Sequence, residues 1–316
     1  RLSLVGSEMC IRDRNYSTEV KQKLLSIITK MDSYNWLFTK HPKTDFSRKK
    51  KWLFEEVMKF MLTMEGKALR DELLEYFEFD NTTPSNSSFN QRRTQILPEV
   101  FEFLFQEFTK SFTDNVTYNG LRLIACDGSD LCTAHNPQDE TTYFQTRPDR
   151  KGYNLLHLNA FYDLCSRQYT DAIIQPSRLA NERRAMCEMI DRYNDTSAIF
   201  IADRGYENYN IFAHVEHKGM YYLIRVKDIT SNGITSKLTM LPESGEFDEW
   251  VNVTLTKKQT NEVKANPKKY RVIDKKTPFD YLDLHFSNFY EMKMRVIRFP
   301  IPQGSYAVSY THLRAH

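Results

Sequence analysis

Two aspartates that follow apolar segments are the residues of this sequence best placed for chemistry. Asp127 follows Leu-Ile-Ala-Cys and precedes Gly-Ser, while Asp203 follows Ala-Ile-Phe-Ile-Ala and precedes Arg-Gly. In an open α/β sheet, ligands bind outside the carboxyl ends of the strands. Carboxylates there are costly unless they are paired or bind a cation, and their hard oxygens favour Mg²⁺ or Mn²⁺ over zinc. The alternative is that each aspartate caps a helix or forms a salt bridge.

Composition limits the class of protein that could use these carboxylates. A chain of 316 residues is long enough for roughly two domains. No apolar run is long enough to span a bilayer and no secretory signal opens the chain, so we expect a cytoplasmic protein without a membrane partner. The five cysteines form no C-x-x-C pair, which favours reduced thiols. The net charge of +3 does not by itself demand a nucleic-acid partner.

Both ends of the chain differ in character from what they adjoin. Residues 1–14 and 308–316 resemble translated library-adapter sequences found at the ends of metagenomic reading frames. We therefore expect them to be non-native, with the native chain running from about residue 15 to about residue 307.

Residues 15–118 are predicted to form an all-helical domain. Apolar residues recur at helical spacing, as in Val57, Phe60 and Met64, and the helices are separated by turn formers. Two basic patches are predicted at helix starts, where contact with DNA phosphates competes with a simple solvated face. The candidate DNA-binding residues are Arg48, Lys49, Lys50, Lys51, Arg92 and Arg93.

The elements that must position the two aspartates follow from residue 119 onward. Apolar runs predict strands at 121–126, 155–162 and 169–175, then a helix at 179–193, a strand at 198–202, a helix at 206–218 and a strand at 220–226. The order is β-β-β-α-β-α-β over residues 119–226. Residues 227–307 are predicted to be β-rich, from alternating segments such as 250–256 and 292–299.

In this order, four motifs resemble DDE transposases of the insertion-sequence-four type. They are Asp127-Gly128-Ser129, GYNLLHLNAFYD at 152–163, Asp203-Arg204-Gly205-Tyr206, and YLIRVK at 222–227. The resemblance implies an α/β ribonuclease-H-like core, a helical N-terminal domain that binds transposon-end DNA, and a β-rich insertion after the fifth strand.

The resemblance also implies a reaction and its machinery. Asp127, Asp203 and a glutamate in a Tyr-x2-Arg-x3-Glu-x6-Lys signature would hold two divalent ions, Mg²⁺ or Mn²⁺, for DNA strand cleavage and strand transfer. That signature is not found, so we expect the glutamate beyond the C-terminus. The expected partner is double-stranded DNA, both terminal repeats and target, bound by a homodimer at the bacterial nucleoid. Further DNA-binding candidates are Arg204, then Arg147, Arg150 and Lys151.

Two other interpretations of the function remain open. Without the third carboxylate, the chain could be a catalytically inactive DNA-binding fragment, and a stand-alone ribonuclease-H-like nuclease would share the fold. Within the candidate site, Asp130 is an alternative metal ligand if the first strand extends further. His135, His157 and His217 lack ligand spacing and are expected to be structural.

Overall fold

The computed structural model describes residues 2–47, 51–112, 116–238, 240–282, 289–301 and 306–311. The chain divides into two compact units, Arg1–Thr113 and Asp114–His316. No helix in these described ranges has both the length and the hydropathy to cross a bilayer.

The described part of the first unit is helical. Its core packs around Trp52, whose ring contacts those of Phe60, Phe77 and Phe89. Val57 and Phe60 are buried, as the helical spacing predicts. The helices are α1 (Leu2–Asp32), α2 (Phe54–Thr63), α3 (Leu69–Tyr76), α4 (Asn86–Arg93) and α5 (Glu99–Lys110).

The second unit is built on one mixed sheet with helices packed against it. Its strands are β1 (Arg122–Thr133), β2 (Tyr143–Phe144), β3 (Tyr153–Asp163), β4 (Gln168–Pro176), β5 (Ala198–Ala202), β6 (Tyr221–Val226), β7 (Phe247–Thr256), β8 (Tyr270–Val272), β9 (Tyr290–Pro300) and β10 (Tyr306–Thr311). Its helices are α6 (Glu182–Arg192), α7 (Tyr209–His217) and α8 (Asn261–Ala265).

The centre of the sheet positions the candidate site. Strands lie in the order β2-β3-β1-β5-β6-β10-β9-β7-β8, and β4 pairs with β3. β1, β5 and β6 are parallel neighbours, whereas β3 is antiparallel to β1. Helix α6 contacts β3 and β4, and α7 contacts β6, where the rings of Phe212 and Tyr222 stack at 4.8 Å between centroids. The parallel β1–β5 pair is therefore buried between neighbours on both edges.

The structure differs from the sequence-based expectation at several boundaries. A short strand, β2, precedes β3, and α6 begins at Glu182 rather than 179 because a 3-10 turn, Ser177–Leu179, comes first. The two segments expected to be non-native belong to regular elements where they are described. Residues 2–14 lie in α1, and the backbone of residues 308–311 pairs with β6 and β9 within β10.

Candidate active site

The register of the two central strands brings Asp127 and Asp203 together. β1 and β5 run parallel with Cys126 opposite Ala202, so the next residue on each strand is one of the two aspartates. Both are exposed. The predicted adjacency of residues separated by 76 positions thus follows from one strand pairing.

The strand end predicted at Asp127 is wrong. β1 continues to Thr133 because its other edge pairs with the long strand β3, where Asp127 lies opposite Ala160. Only the parallel pairing to β5 ends at this point. Asp203 does follow directly after β5, as predicted. Asp127 therefore lies inside β1, at the point where the pairing with β5 ends and the pairing with β3 continues.

Backbone N–H groups hold each aspartate in place. Gly128 N–H donates to Asp127 Oδ1 at 2.9 Å, and Gly205 N–H donates to Asp203 Oδ1 at 2.7 Å. Asp203 thereby caps the 3-10 turn Arg204–Tyr206. The cap interpretation and the ligand interpretation are compatible for Asp203, since a cap that uses one carboxylate oxygen leaves the other unused by that bond.

Glu182 contributes a third carboxylate that sequence reasoning missed. It begins α6, behind the N-cap Asn181. A Cβ on Gly128 would lie 3.0 Å from Glu182 Oε1, and a Cβ on Gly205 would lie 4.0 Å from Glu182 Oε2. Its carboxyl group therefore sits against both segments that carry the aspartates. Acidic residues are common in the first turn of a helix because they interact favourably with the helix dipole. The sequence around Glu182 therefore did not mark it as a site residue.

All three carboxylates influence the pKa of the thiol next to Asp127. Burial raises the pKa of the Cys126 thiol to about 12, and the charges of Asp127, Glu182 and Asp203 act in the same direction. Cys126 is only 5% exposed and faces the core. The charges of the three acids thus act on one buried sulfur, but within the described residues no group of three or more His, Cys, Asp or Glu side chains could hold a metal ion.

A histidine connects Glu182 to Asp130. His157 Nδ1 lies 2.8 Å from Asp130 Oδ1, and its Nε2 lies 3.1 Å from Glu182 Oε1. Ser177 Oγ donates to Asp130 Oδ1 at 3.2 Å. Asp130, His157 and Glu182 line a cavity of about 440 Å³, which we call the acidic pocket. His157 therefore belongs to the candidate site, and Asp130 holds this histidine.

Arg204 lies on the other side of Asp203, in a cleft of about 500 Å³. Three cationic side chains that the sequence analysis did not select, Arg183, Lys227 and Arg271, line the same cleft. We call Arg183, Arg204, Lys227 and Arg271 together the basic cleft. They come from α6, the turn after β5, the end of β6 and β8, so only the fold shows that they are neighbours.

The loop with Arg147, Arg150 and Lys151 is not brought to the aspartates. These three residues are exposed and precede Tyr153, the first residue of β3. Asp127 pairs with Ala160, about 24 Å further along β3. The proposed basic environment of Asp203 therefore retains Arg204 but not this loop.

The basic candidates of the first unit have mixed outcomes. Arg48, Lys49 and Lys50 lie outside the described residues, and Lys51 is exposed, with its Nζ donating to the Thr82 carbonyl. Arg92 and Arg93 end α4 and do not begin a helix as expected, because the cap-rich turn places the N-cap at Ser85. Arg92 lies over the Phe46 ring and Arg93 over the Phe89 ring.

The family described as the transposase DDE domain matches residues 118–296, which include both aspartates. No curated protein matches the sequence. Among solved structures, the piggyBac transposase synaptic complex with hairpin DNA, determined by cryo-EM, is similar with a TM-score of 0.42 and 8% identity. The match covers 94% of this chain and 52% of that one, so the chain spans about half the length of the piggyBac chain.

Proposed function

Because the chain belongs to the transposase DDE domain family, we propose that it cleaves DNA strands at the ends of an insertion sequence and transfers them to target DNA, using Asp127 and Asp203. One observation carries the assignment of these residues: the parallel register of β1 and β5 sets them side by side. Adjacent carboxylates at the ends of parallel pairing are where an α/β sheet places ligand chemistry.

The finer assignment is a ribonuclease-H-like core of the insertion-sequence-four type. Three antiparallel strands followed by two parallel ones, in the spatial order β4-β3-β1-β5-β6, support the core. The quoted Asp127 and Asp203 motifs support the type. In this assignment, the helical first unit binds terminal-repeat DNA, residues 227–307 with β7–β9 form the insertion, and two copies of the chain act on paired DNA ends.

DDE transposases generally use divalent metal ions, and the donor set here fits them in part. Asp127 and Asp203 offer hard oxygens next to each other, as Mg²⁺ or Mn²⁺ requires. When bound, such ions would activate water or a DNA 3′-hydroxyl and stabilise the leaving oxygen. Glu182 would approach as a further carboxylate because its oxygens lie 3.0 and 4.0 Å from where a Cβ on Gly128 and on Gly205 would stand.

The protein's own groups have separate tasks in this proposal. The Gly128 and Gly205 N–H groups fix one oxygen of each aspartate and so limit the rotation of both carboxylates. His157, which contacts Asp130 through Nδ1, lies with its Nε2 3.1 Å from Glu182 Oε1 and would help to position that carboxylate. Arg204 supplies positive charge beside Asp203 for a phosphodiester oxygen.

One observation favours a second candidate function, a DNA-binding protein that does not cleave. Within the described ranges, the three carboxylates do not form a complete metal-binding group. A two-carboxylate site binds a divalent ion weakly, because affinity rises with the number of charged ligands. The two candidates differ in nicking and agree in DNA binding.

Strand nicking separates them. A supercoiled plasmid that carries the insertion sequence encoding this chain, with its flanking DNA, is incubated with the 316-residue chain and Mn²⁺. We expect nicking that falls at least about 100-fold in Asp127→Asn and in Asp203→Asn, because each removes a charged ligand. Asp149→Asn, at an exposed loop position, is the matched control and should nick normally. Equal nicking by Asp127→Asn and the unaltered chain would refute the site, and DNA binding without nicking would favour the second candidate.

A further inference from the structure

The basic cleft is a surface whose cations have no carboxylate partner. Within the described residues, no carboxylate oxygen lies within 4 Å of the charged nitrogens of Arg183, Arg204, Lys227 or Arg271. Several other arginines of the same unit are paired with carboxylates, namely Arg122 with Asp163 and Asp195, Arg192 with Asp171, Arg295 with Asp248, and Arg298 with Asp228. The cleft differs from these pairs because four cations line one space, with no carboxylate bound to them in the described part of the chain.

The buried acid that lines the cleft, Glu207, accepts hydrogen bonds from backbone N–H groups. Glu207 is 8% exposed, and its Oε2 accepts the Lys227 N–H at 3.1 Å while its Oε1 accepts the Ile234 N–H. A Cβ on Gly233 would lie 2.8 Å from Glu207 Oε1, so the loop closes over this carboxylate only because that residue is a glycine. Asp203 is therefore the exposed carboxylate among the residues that line the cleft.

One cation of the cleft is held by a hydrogen bond, and a second lies close to a buried tyrosine. Arg183 Nε donates to the Gly205 carbonyl at 2.9 Å, which holds its guanidinium at the turn that follows Asp203. Arg271 lies near the buried phenol of Tyr209. Burial raises the pKa of Tyr209 to about 12, and the guanidinium opposes that shift. The cleft thus has a defined arrangement of positive charge before any ligand arrives.

We propose that the basic cleft binds the phosphodiester backbone of the DNA strand that enters the Asp127–Asp203 site, without regard to sequence. This inference rests on the proposed function. Four cations from four elements exceed what one phosphate requires, so the ligand carries several phosphates along its length. No aromatic side chain lines the cleft in the described residues, so it offers no platform for stacking a base. Contact is therefore to the backbone, which positions a strand but reads no sequence.

The test measures salt dependence of DNA binding. Two 30-base-pair duplexes of unrelated sequence, fluorescently labelled, are titrated with the full chain in EDTA at 50 to 200 mM KCl. Lys227→Gln and Arg271→Gln should each weaken binding to both duplexes by the same factor, about 3- to 10-fold, and lower the slope of log K against log salt by about 1. The double variant should lower that slope by about 2.

Matched controls isolate the cleft from general charge loss. Lys264→Gln removes an exposed lysine on α8 outside the cleft, and Arg184→Gln removes an exposed arginine that pairs with Glu188. Both should bind DNA like the unaltered chain, as should Lys227→Arg, which keeps the charge. Thermal unfolding by circular dichroism checks that every variant is folded.

The outcomes distinguish this inference from the function on which it rests. If the double variant keeps the affinity and slope of the unaltered chain while Asp127→Asn abolishes nicking, the cleft assignment fails and the transposase site stands. Unequal losses on the two duplexes would also overturn it, because they indicate base readout. A chain that binds neither duplex at any salt concentration would overturn the cleft and the proposed function together.

Discussion

The acidic pocket and the basic cleft adjoin at Arg183 and Gly205, which line both. The two spaces differ in whether their charged side chains have partners within the protein. In the acidic pocket, both carboxylates lie beside one histidine: Asp130 contacts His157, and His157 lies next to Glu182. In the basic cleft, the four cations have no acidic partner in the described part of the chain. The difference indicates that the pocket is organised by the protein itself, whereas the cleft is completed by an anion from outside.

The largest effect on this comparison is expected from Gly128→Ala. The new Cβ would lie 2.7 Å from His157 Nε2 and 3.0 Å from Glu182 Oε1. His157 is 9% exposed and tied to Asp130, so it cannot give way cheaply. We expect the free energy of unfolding to fall by about 2 to 3 kcal/mol, measured by urea denaturation. Ser129→Ala, at the next and exposed position of β1, should change it by less than about 0.5 kcal/mol. A neutral Gly128→Ala would show that the pocket is loosely packed.

Glu216 extends the comparison to a carboxyl group that is paired with neither a histidine nor a cation among the described residues. Burial raises the pKa of Glu216 to about 7, although the Tyr290 hydroxyl donates to Glu216 Oε2 at 3.2 Å and acts against the rise. The folded protein therefore holds this proton more tightly than the unfolded chain. Its stabilising contribution is complete below about pH 4.5 and is lost as the pH rises through about 7.

Glu216→Gln should consequently stabilise the protein at high pH. At pH 8, we expect its free energy of unfolding to exceed that of the unaltered chain by about 1 to 2 kcal/mol, and at pH 4.5 the two should agree closely. Urea denaturation at both pH values measures the difference, with the exposed Glu243→Gln as control. An equal gain at both pH values would show that the carboxyl group's titration is not the cause.

The smallest expected effect concerns how His157 positions Glu182. His157→Gln removes the ring that lies between Asp130 and Glu182, so we expect the Glu182 carboxylate to be less well positioned beside the aspartates. The Mn²⁺ concentration that gives half-maximal nicking should rise about 10-fold, as for other groups that orient metal ligands. His135→Gln, at an exposed residue beside Tyr143, is the matched control. An unchanged Mn²⁺ requirement would leave His157 a purely structural residue.

The sequence predicted those parts of the site that are encoded locally. The five-residue apolar strand β5 lies between polar residues, and Asp203 follows it directly. The apolar run therefore predicted both the strand and the position of Asp203. Asp127 was located too, but the apolar run ends at Cys126, and the strand continues only because β3 supplies a partner. β-propensity depends on such cross-strand neighbours, which one sequence does not display.

The remaining residues could not be found in this way because they converge from distant segments. Glu182 and His157 are separated along the chain by β4, and Arg271 reaches the basic cleft from β8. Each has an ordinary local context: a helix start, a strand interior and a short strand. Arg147, Arg150 and Lys151 show the converse, since a cluster of charge in sequence lies away from the aspartates in space.

The position of Cys126 also bears on chemical durability. The thiolate is the form that reacts with oxidants and alkylating agents, and a pKa of about 12 leaves almost none of it at neutral pH. The burial and the acids that hold the proton on this sulfur therefore protect the residue beside Asp127 from sulfenic acid and disulfide formation. Cys132, exposed on the same strand, lacks that burial. Cys126 is thus shielded from oxidation at the position directly before Asp127.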